Sequence, residues 1–122
     1  MAAVTKDMTL RTVHAQAVAD ALDGGSLKLY TSGGSTLRAT FTLSSNVTAA
    51  SGTFDFATMA TVQAVNSGAI AEAVWETSGA QATLTGTVTG TGGGGALEIT
   101  NTDPTAGDDI ENTTAISYTE NA

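Results

Sequence analysis

The sequence has no cysteine and only six aromatic residues among its 122 positions. Without cysteine, the chain can form no disulfide, no thiolate metal site and no cysteine nucleophile. No run of residues approaches the ~20 apolar positions of a membrane span, and residues 1–10 lack the apolar stretch of a signal peptide. We therefore expect no membrane partner and synthesis in a cytoplasm.

Basic residues are missing from most of the chain. Lys6, Arg11, Lys28 and Arg38 lie with three acids in the first 38 residues, whereas residues 39–122 carry nine acids and no base. The net charge is -8. Because such an acidic body repels nucleic acid, we expect no nucleic-acid partner.

The composition favours short strands and turns over a large helical core. Ala, Thr, Gly and Ser dominate, and aromatic residues are few. A chain of this length is expected to form one domain around one core. We predict a mainly β protein: an N-terminal arm over residues 1–8, then a single β-sandwich or barrel-like domain over residues 9–122, with one short N-terminal helix.

That helix is predicted over residues 9–22, TLRTVHAQAVADAL, which are rich in good helix formers. Thr9 can cap its start. Asp23-Gly24-Gly25 ends it, because glycine takes the left-handed conformation at little cost. The face expected to lie on a sheet is an apolar stripe formed by Leu10, Val13, Ala17 and Ala21. Val18 and Leu22 lie at the edge of this stripe.

After the helix, apolar residues recur with the period of two that is typical of strands. Strands are predicted over residues 27–31 and 36–43, joined by a small-residue hairpin loop, and over residues 53–56. In the second of these, Leu37, Ala39, Phe41 and Leu43 share one face. Residues 57–65 are ambiguous between strand and helix.

A second hairpin is predicted around the single tryptophan. Residues 69–76 and 82–89 alternate in character on either side of a small-residue turn. Trp75 shares its face with Ala71 and Ala73, where a large ring over two small neighbours indicates a core anchor.

Two further strands bring the expected total to six to eight. Leu97 and Ile99 belong to one of them, and Ile116 and Tyr118 belong to the other. The interior is predicted to contain one large apolar side chain from most strands: Leu29, Phe41, Phe54, Trp75, Leu84, Ile99 and Ile116.

The stretch GTVTGTGGGG, residues 86–95, contains the Gly-x-Gly-x-x-Gly of dinucleotide-binding loops at positions 90–95. The sequence that follows, ALEIT, alternates like a strand and offers no helix N-terminus to an anion. No Lys or Arg lies nearby. The sequence favours a hairpin loop over a phosphate site, and we expect no cofactor.

Two polar features have an ordinary structural explanation. His14, the only histidine, has no nucleophile or carboxylate at a motif spacing, which favours a surface position over a catalytic base. Residues 101–112 concentrate Asp103, Asp108, Asp109 and Glu111, but their spacing fails the EF-hand pattern. A solvated turn is favoured there over a cation site.

The order of these pieces resembles a group of small bacteriophage proteins from the structural gene region. An N-terminal helix precedes ALDGGSLKLYTSG, a strand LRATFTL, the tryptophan and threonine-glycine segment AIAEAVWETSGAQATLTGTVTGTGGGGALEIT, and a closing AISYTE. The resemblance covers most of residues 10–120. It implies a non-enzymatic virion component, a head decoration (cement) protein that binds and stabilises the outer surface of the phage head.

The resemblance also implies where the protein acts and with what. It carries over no catalytic residue and no cofactor. The expected partner is the major capsid protein, and the expected location is the capsid surface, after synthesis in the host cytoplasm. Self-association as a homotrimer is expected, because a closed ring fits a local symmetry axis of a shell and open edge strands favour pairing between chains.

The uneven charge predicts how such a protein would be oriented. The basic N-terminal segment is expected to face the shell, with Lys6 and Arg11 as ion-pairing residues and Val4 and Met8 as apolar contacts. The acidic body would face solvent.

A second function remains open at this stage. In a carbohydrate-binding or adhesion module of a tail or head appendage, Trp75, Tyr30 or Tyr118 would be exposed as a stacking platform. The burial of Trp75 distinguishes between the two roles: an exposed Trp75 would be a stacking platform, and a buried Trp75 would be a core residue.

Overall fold

The computed structural model describes residues 6–32, 36–43, 48–56, 59–79, 83–113 and 116–119. This part of the chain is mainly β with one short N-terminal helix, as the sequence predicts. It contains nine strands rather than six to eight: one two-residue strand lies in residues 57–65, which the sequence leaves ambiguous between strand and helix, and a second lies in the acidic segment, where a turn is predicted. The elements are α1 (Met8–Leu22), β1 (Ser26–Tyr30), β2 (Leu37–Thr42), β3 (Thr53–Asp55), β4 (Val62–Gln63), β5 (Glu72–Glu76), β6 (Thr83–Gly90), β7 (Leu97–Ile99), β8 (Asp109–Ile110) and β9 (Ser117–Thr119).

Five strands form the main sheet in the order β2-β1-β5-β6-β7. β1 pairs antiparallel with β2 and with β5, and β5 pairs antiparallel with β6, so both predicted hairpin pairings are confirmed. The predicted faces are also confirmed. Leu27, Leu29, Ala39 and Phe41 are fully buried, whereas Thr42 is exposed.

β6 and β7 run parallel, which contradicts the hairpin predicted for residues 86–95. Val88 lies beside Leu97, and the pairing continues in the same direction for two more residues. The chain therefore turns back through residues 91–96 before it enters β7. Alternation alone could not give the direction, because parallel and antiparallel strands share the period of two.

Glycine makes this short parallel connection possible. Gly92 and Gly94 have φ angles of +85° and +81°, which other residues rarely adopt. The chain also passes close to β6, because a Cβ on Gly93 would lie only 2.6 Å from the Cβ of Thr89.

Backbone hydrogen bonds close the main sheet into a ring, which confirms the barrel-like prediction. Beyond β7 the pairing continues to residues 111–113, which lead out of β8, and β8 pairs antiparallel with β4. From β4 the hydrogen-bonded pairing continues to β2, which closes the ring. The closing bonds, from nitrogen to oxygen, are Thr100 to Glu111 (3.0 Å), Thr113 to Glu98 (3.0 Å), Ala64 to Asp108 (2.9 Å), Gly107 to Ala64 (2.9 Å) and Val65 to Arg38 (2.7 Å).

The interior of the ring holds the predicted core with one exception. Six of the seven predicted residues are buried, and Leu84 is only partly buried because it lines two surface pockets. Ile110 is fully buried although it belongs to the acidic segment. That segment was predicted as a solvated turn, but its Asp109–Ile110 portion is strand β8.

The helix begins one residue earlier than predicted, and its cap is Asp7 rather than Thr9. Oδ1 of Asp7 accepts a hydrogen bond from the Leu10 nitrogen at 2.9 Å, which satisfies one of the free amides of the first turn. The predicted end is confirmed, since Gly24 follows Leu22 and Asp23 with a φ of +75°.

The predicted inward face of α1 is wrong for Leu10, Val13, Ala17 and Ala21, which are exposed, whereas the predicted edge residues Val18 and Leu22 do pack in or against the core. The buried residues of the helix are Ala15, Ala19 and Leu22. Two polar side chains belong to this face: Oε1 of Gln16 accepts from the Ala49 nitrogen at 2.8 Å, and the hydroxyl of Thr12 accepts from the Gly52 nitrogen at 2.9 Å. The loop over residues 49–52 needs acceptors for its amides, so these hydrogen bonds add to the burial of Ala15, Ala19 and Leu22 in setting the rotation of the helix.

Candidate functional site

The rotation of α1 leaves an apolar stripe exposed to solvent. This exposed stripe consists of Leu10, Val13, Ala17 and Ala21, which lie on one side of the helix at spacings of three and four residues. Leu10 is 43% exposed and Val13 57% exposed. Single exposed apolar residues are ordinary, but four apolar residues along one exposed side of a helix form a larger apolar surface.

Of the four residues predicted to contact a shell, Val4, Lys6, Met8 and Arg11, the three that the structure describes do not form one exposed surface on this helix. Val4 lies outside the described residues. Lys6 precedes the helix and is half-buried, and Met8 is partly exposed but lies on the body-facing side of α1, where a Cβ on Gly52 would be 3.4 Å from its sulfur. Arg11 turns toward the body: a Cβ on Gly52 would lie 3.2 Å from the Cβ of Arg11, and the Nε of Arg11 is buried without a hydrogen-bond partner.

The other two bases have partners inside the domain. Nζ of Lys28 lies 3.0 Å from Oε2 of Glu76, and this hydrogen bond, together with the glutamate charge, raises the pKa of Lys28 above 10.5. Arg38 donates from Nε to the Ala69 carbonyl at 3.3 Å and from Nη1 to Oδ1 of Asn66. Lys28 and Arg38 therefore serve the fold.

A second candidate site is an aromatic pocket between β6 and the small antiparallel sheet formed by β3 and β9. Phe56 stacks on Trp75 with ring centroids 6.1 Å apart, and Phe54 contacts both Phe56 and Tyr118. The pocket has a volume of about 160 Å³. Its walls come from five segments: Phe56, Trp75, Leu84, Thr85, Ala96, Ile116, Ser117 and Tyr118.

Trp75 is a core residue, as predicted. It is only 4% exposed, so it cannot act as the exposed stacking platform of an adhesion module. Gly86 makes room for its ring, since a Cβ there would lie 3.0 Å from the indole Cζ3. The Nε1 of Trp75 is buried and has no hydrogen-bond partner. Tyr30 and Tyr118 are both half-buried.

The glycine-rich loop binds an anion, but the anion is part of the protein. Oε1 of Glu98 accepts from the Gly92 nitrogen at 2.9 Å, and Oε2 accepts from the Gly94 nitrogen at 3.1 Å. Backbone amides in alternating conformations form such concave anion sites. The loop is followed by strand β7, as expected, and the carboxylate occupies the place that a phosphate would need.

Comparison with known proteins adds no relative. Searches with this chain find no matching family model, no matching curated protein and no matching solved structure. The helix of the described segments is too short and too polar to cross a membrane.

The remaining polar candidates have structural roles. His14 is exposed on α1. In the acidic segment, Oδ2 of Asp108 accepts from the Thr105 nitrogen at 2.9 Å, and Oδ1 of Asn101 accepts from the Asp103 nitrogen at 3.1 Å, as in turns. Within the described ranges, no three metal-ligating side chains converge, and no polar or charged residue is buried.

Two features of these sites were missed from the sequence. The apolar residues of the helix were assigned to the core, although Thr12 and Gln16 on the other side were signals that the buried face is hydrogen-bonded. Glu98 was not singled out, although a carboxylate six residues after Gly92 is within reach of the loop amides.

Proposed function

We propose that this protein is a non-enzymatic virion component that decorates the outer surface of a phage head and docks on it through the exposed stripe of α1. The resemblance to phage structural proteins supports the choice of partner, the major capsid protein. The observation that carries the proposal is the exposure of Leu10 and Val13 on a helix whose polar residues Thr12 and Gln16 face the domain.

Apolar contacts would dominate this docking. Full burial of a Leu or Val side chain contributes roughly 1.5–3 kcal/mol, and Leu10 and Val13 are each about half exposed. Two such residues supply about 1.5–3 kcal/mol, whereas an exposed ion pair supplies only ~0.2–1 kcal/mol. Lys6 would therefore orient the protein on an acidic shell rather than hold it there. The acidic segment, with Asp103, faces solvent in this arrangement.

A homotrimer remains the proposed assembly, although open sheet edges no longer support it. The edges of the main sheet were expected to be open, but residues 65 and 111–113 hydrogen-bond to β2 and β7. Symmetry remains the supporting argument: three weak contacts at a local three-fold axis bind together with a much higher affinity than one. Sedimentation equilibrium of the purified protein, alone and with capsids, measures the assembly.

The docking is tested by co-sedimentation with capsids that lack the protein. The native chain should bind at a fixed stoichiometry. Val13→Asp should weaken binding at least about tenfold, because it places a charge in the centre of an apolar contact. Val65→Asp is the matched control: Val65 is 63% exposed, lies outside α1, and should leave binding unchanged.

The outcomes separate the parts of the proposal. Failure of the native chain to bind capsids would overturn the decoration role. Equal binding of the Val13→Asp and native proteins would overturn docking through α1 and leave decoration in place. Binding to glycans in place of capsids would support the adhesion alternative, with Tyr30 or Tyr118 as the residue to substitute next.

A further inference from the structure

The aromatic pocket beside Trp75 has the size of a single ring. Its volume of about 160 Å³ is close to the ~150 Å³ of an engineered apolar protein cavity that takes up benzene. Because the pocket is open on one side, its volume sets the size of the group that can enter it, about one ring, and not the size of the whole guest.

The walls of the pocket select for an uncharged aromatic guest. Phe56, Trp75 and Tyr118 supply rings, and Leu84 and Ile116 supply aliphatic surface. None of the described lining residues is charged. Aromatic rings attract a further ring through edge-to-face or offset contacts beyond the effect of buried area. The open side is formed by the exposed residues Thr85, Ala96 and Ser117, through which a guest can enter.

We propose that this pocket is a binding site for a neutral molecule that inserts one aromatic ring. The ring packs among Phe56, Trp75 and Tyr118. Nothing in this assignment depends on the docking of α1 to a capsid, since the exposed stripe contributes no residue to the pocket.

Phenol is a suitable probe, and the protein contains its own reporter. Because Trp75 is the only tryptophan, a ¹⁵N-labelled sample gives a single indole N–H resonance. Phenol should shift this resonance saturably. Cyclohexanol, which has a similar size and the same hydroxyl group but no aromatic ring, should bind about three- to tenfold more weakly.

Variants at the open side test the location. Ala96→Leu should fill the pocket from its exposed edge and weaken phenol binding by about tenfold or more. Ala106→Leu adds the same side chain at an exposed position outside the pocket and should bind phenol like the native protein. Thr85→Leu is a second obstruction, for use if Ala96→Leu lowers the melting temperature.

Several results would overturn the assignment. These are no saturable shift with phenol, an equal affinity for cyclohexanol, or native affinity in both obstructing variants. A shift of the Trp75 resonance by glucose and not by phenol would assign the pocket to a sugar and would also overturn it.

Discussion

Gly25 lies against the backbone carbonyl of Glu76 so closely that a Cβ on residue 25 would overlap that oxygen. The contact joins the chain just after α1 to the last residue of β5. On the other side, the Gly25 carbonyl accepts from the Leu43 nitrogen at 3.0 Å. Glycine is required at this position for space rather than for its φ angle, whereas Gly24 has a φ of +75° and open space around its Cα.

Gly25→Ala should therefore destabilise the protein more than Gly24→Ala. We expect the first to lower the free energy of unfolding by about 3 kcal/mol, because backbone atoms must move. The second should cost about 1 kcal/mol for a left-handed alanine. Urea unfolding followed by the fluorescence of Trp75 measures both, and equal effects would contradict the assigned contact.

Glu98→Gln tests the glycine-rich loop. The substitution replaces one acceptor oxygen with an NH₂ group that would face a backbone N–H, so we expect a loss of about 1–3 kcal/mol in the free energy of unfolding. Asp103→Asn removes a charge from an exposed residue and should change stability by no more than about 0.5 kcal/mol. If the two variants were equally stable, the loop amides would not depend on the Glu98 carboxylate.

The pair of Lys28 and Glu76 predicts a change in stability at alkaline pH. The hydrogen bond and the charge of Glu76 raise the pKa of Lys28 above its ordinary value of 10.5. A raised pKa in the folded state gives a contribution that is fully present below pH 10.5 and is lost as the pH rises through the folded value. An NMR titration of the Lys28 side chain should give a lower pKa in Glu76→Gln than in the native protein, and identical values would exclude the pair as the cause.

The burial of Trp75 has a direct spectroscopic consequence. With 4% of its surface exposed, it should emit at shorter wavelength than free tryptophan and should be poorly quenched by iodide. Unfolding in urea should move the emission to longer wavelength and restore quenching. Emission like that of free tryptophan in the folded protein would contradict the position of Trp75 in the core.

The strands were predictable from the sequence because their signal is local. Leu27, Leu29 and Phe41 alternate with polar residues, and burial of one face of a sheet imposes that period. The small-residue turns between β1 and β2 and between β5 and β6 fixed the pairing of neighbours in the chain. The two-residue strands β4 and β8 carry no such period, and only the ring of hydrogen bonds defines them.

The exposed stripe was not predictable from periodicity. Apolar residues occur on more than one side of α1, so the pattern could not choose between the side of Leu10 and Val13 and the side of Ala15 and Ala19. The choice depends on Thr12 and Gln16, whose partners lie 40 and 33 residues away in the sequence. The aromatic pocket was not predictable for a similar reason, because its rings come from residues 56, 75 and 118, which are far apart in the sequence.

The ring is closed through β4 and β8, and this part of the barrel should open more easily than the main sheet. Each of these strands has two residues, whereas β6 has eight. Segments held by few hydrogen bonds open with less free energy than the whole domain, so the amides of Ala64 and Gly107 should exchange with solvent deuterium faster than that of Leu27. The ring would then open between β4 and β8 while the main sheet stays folded.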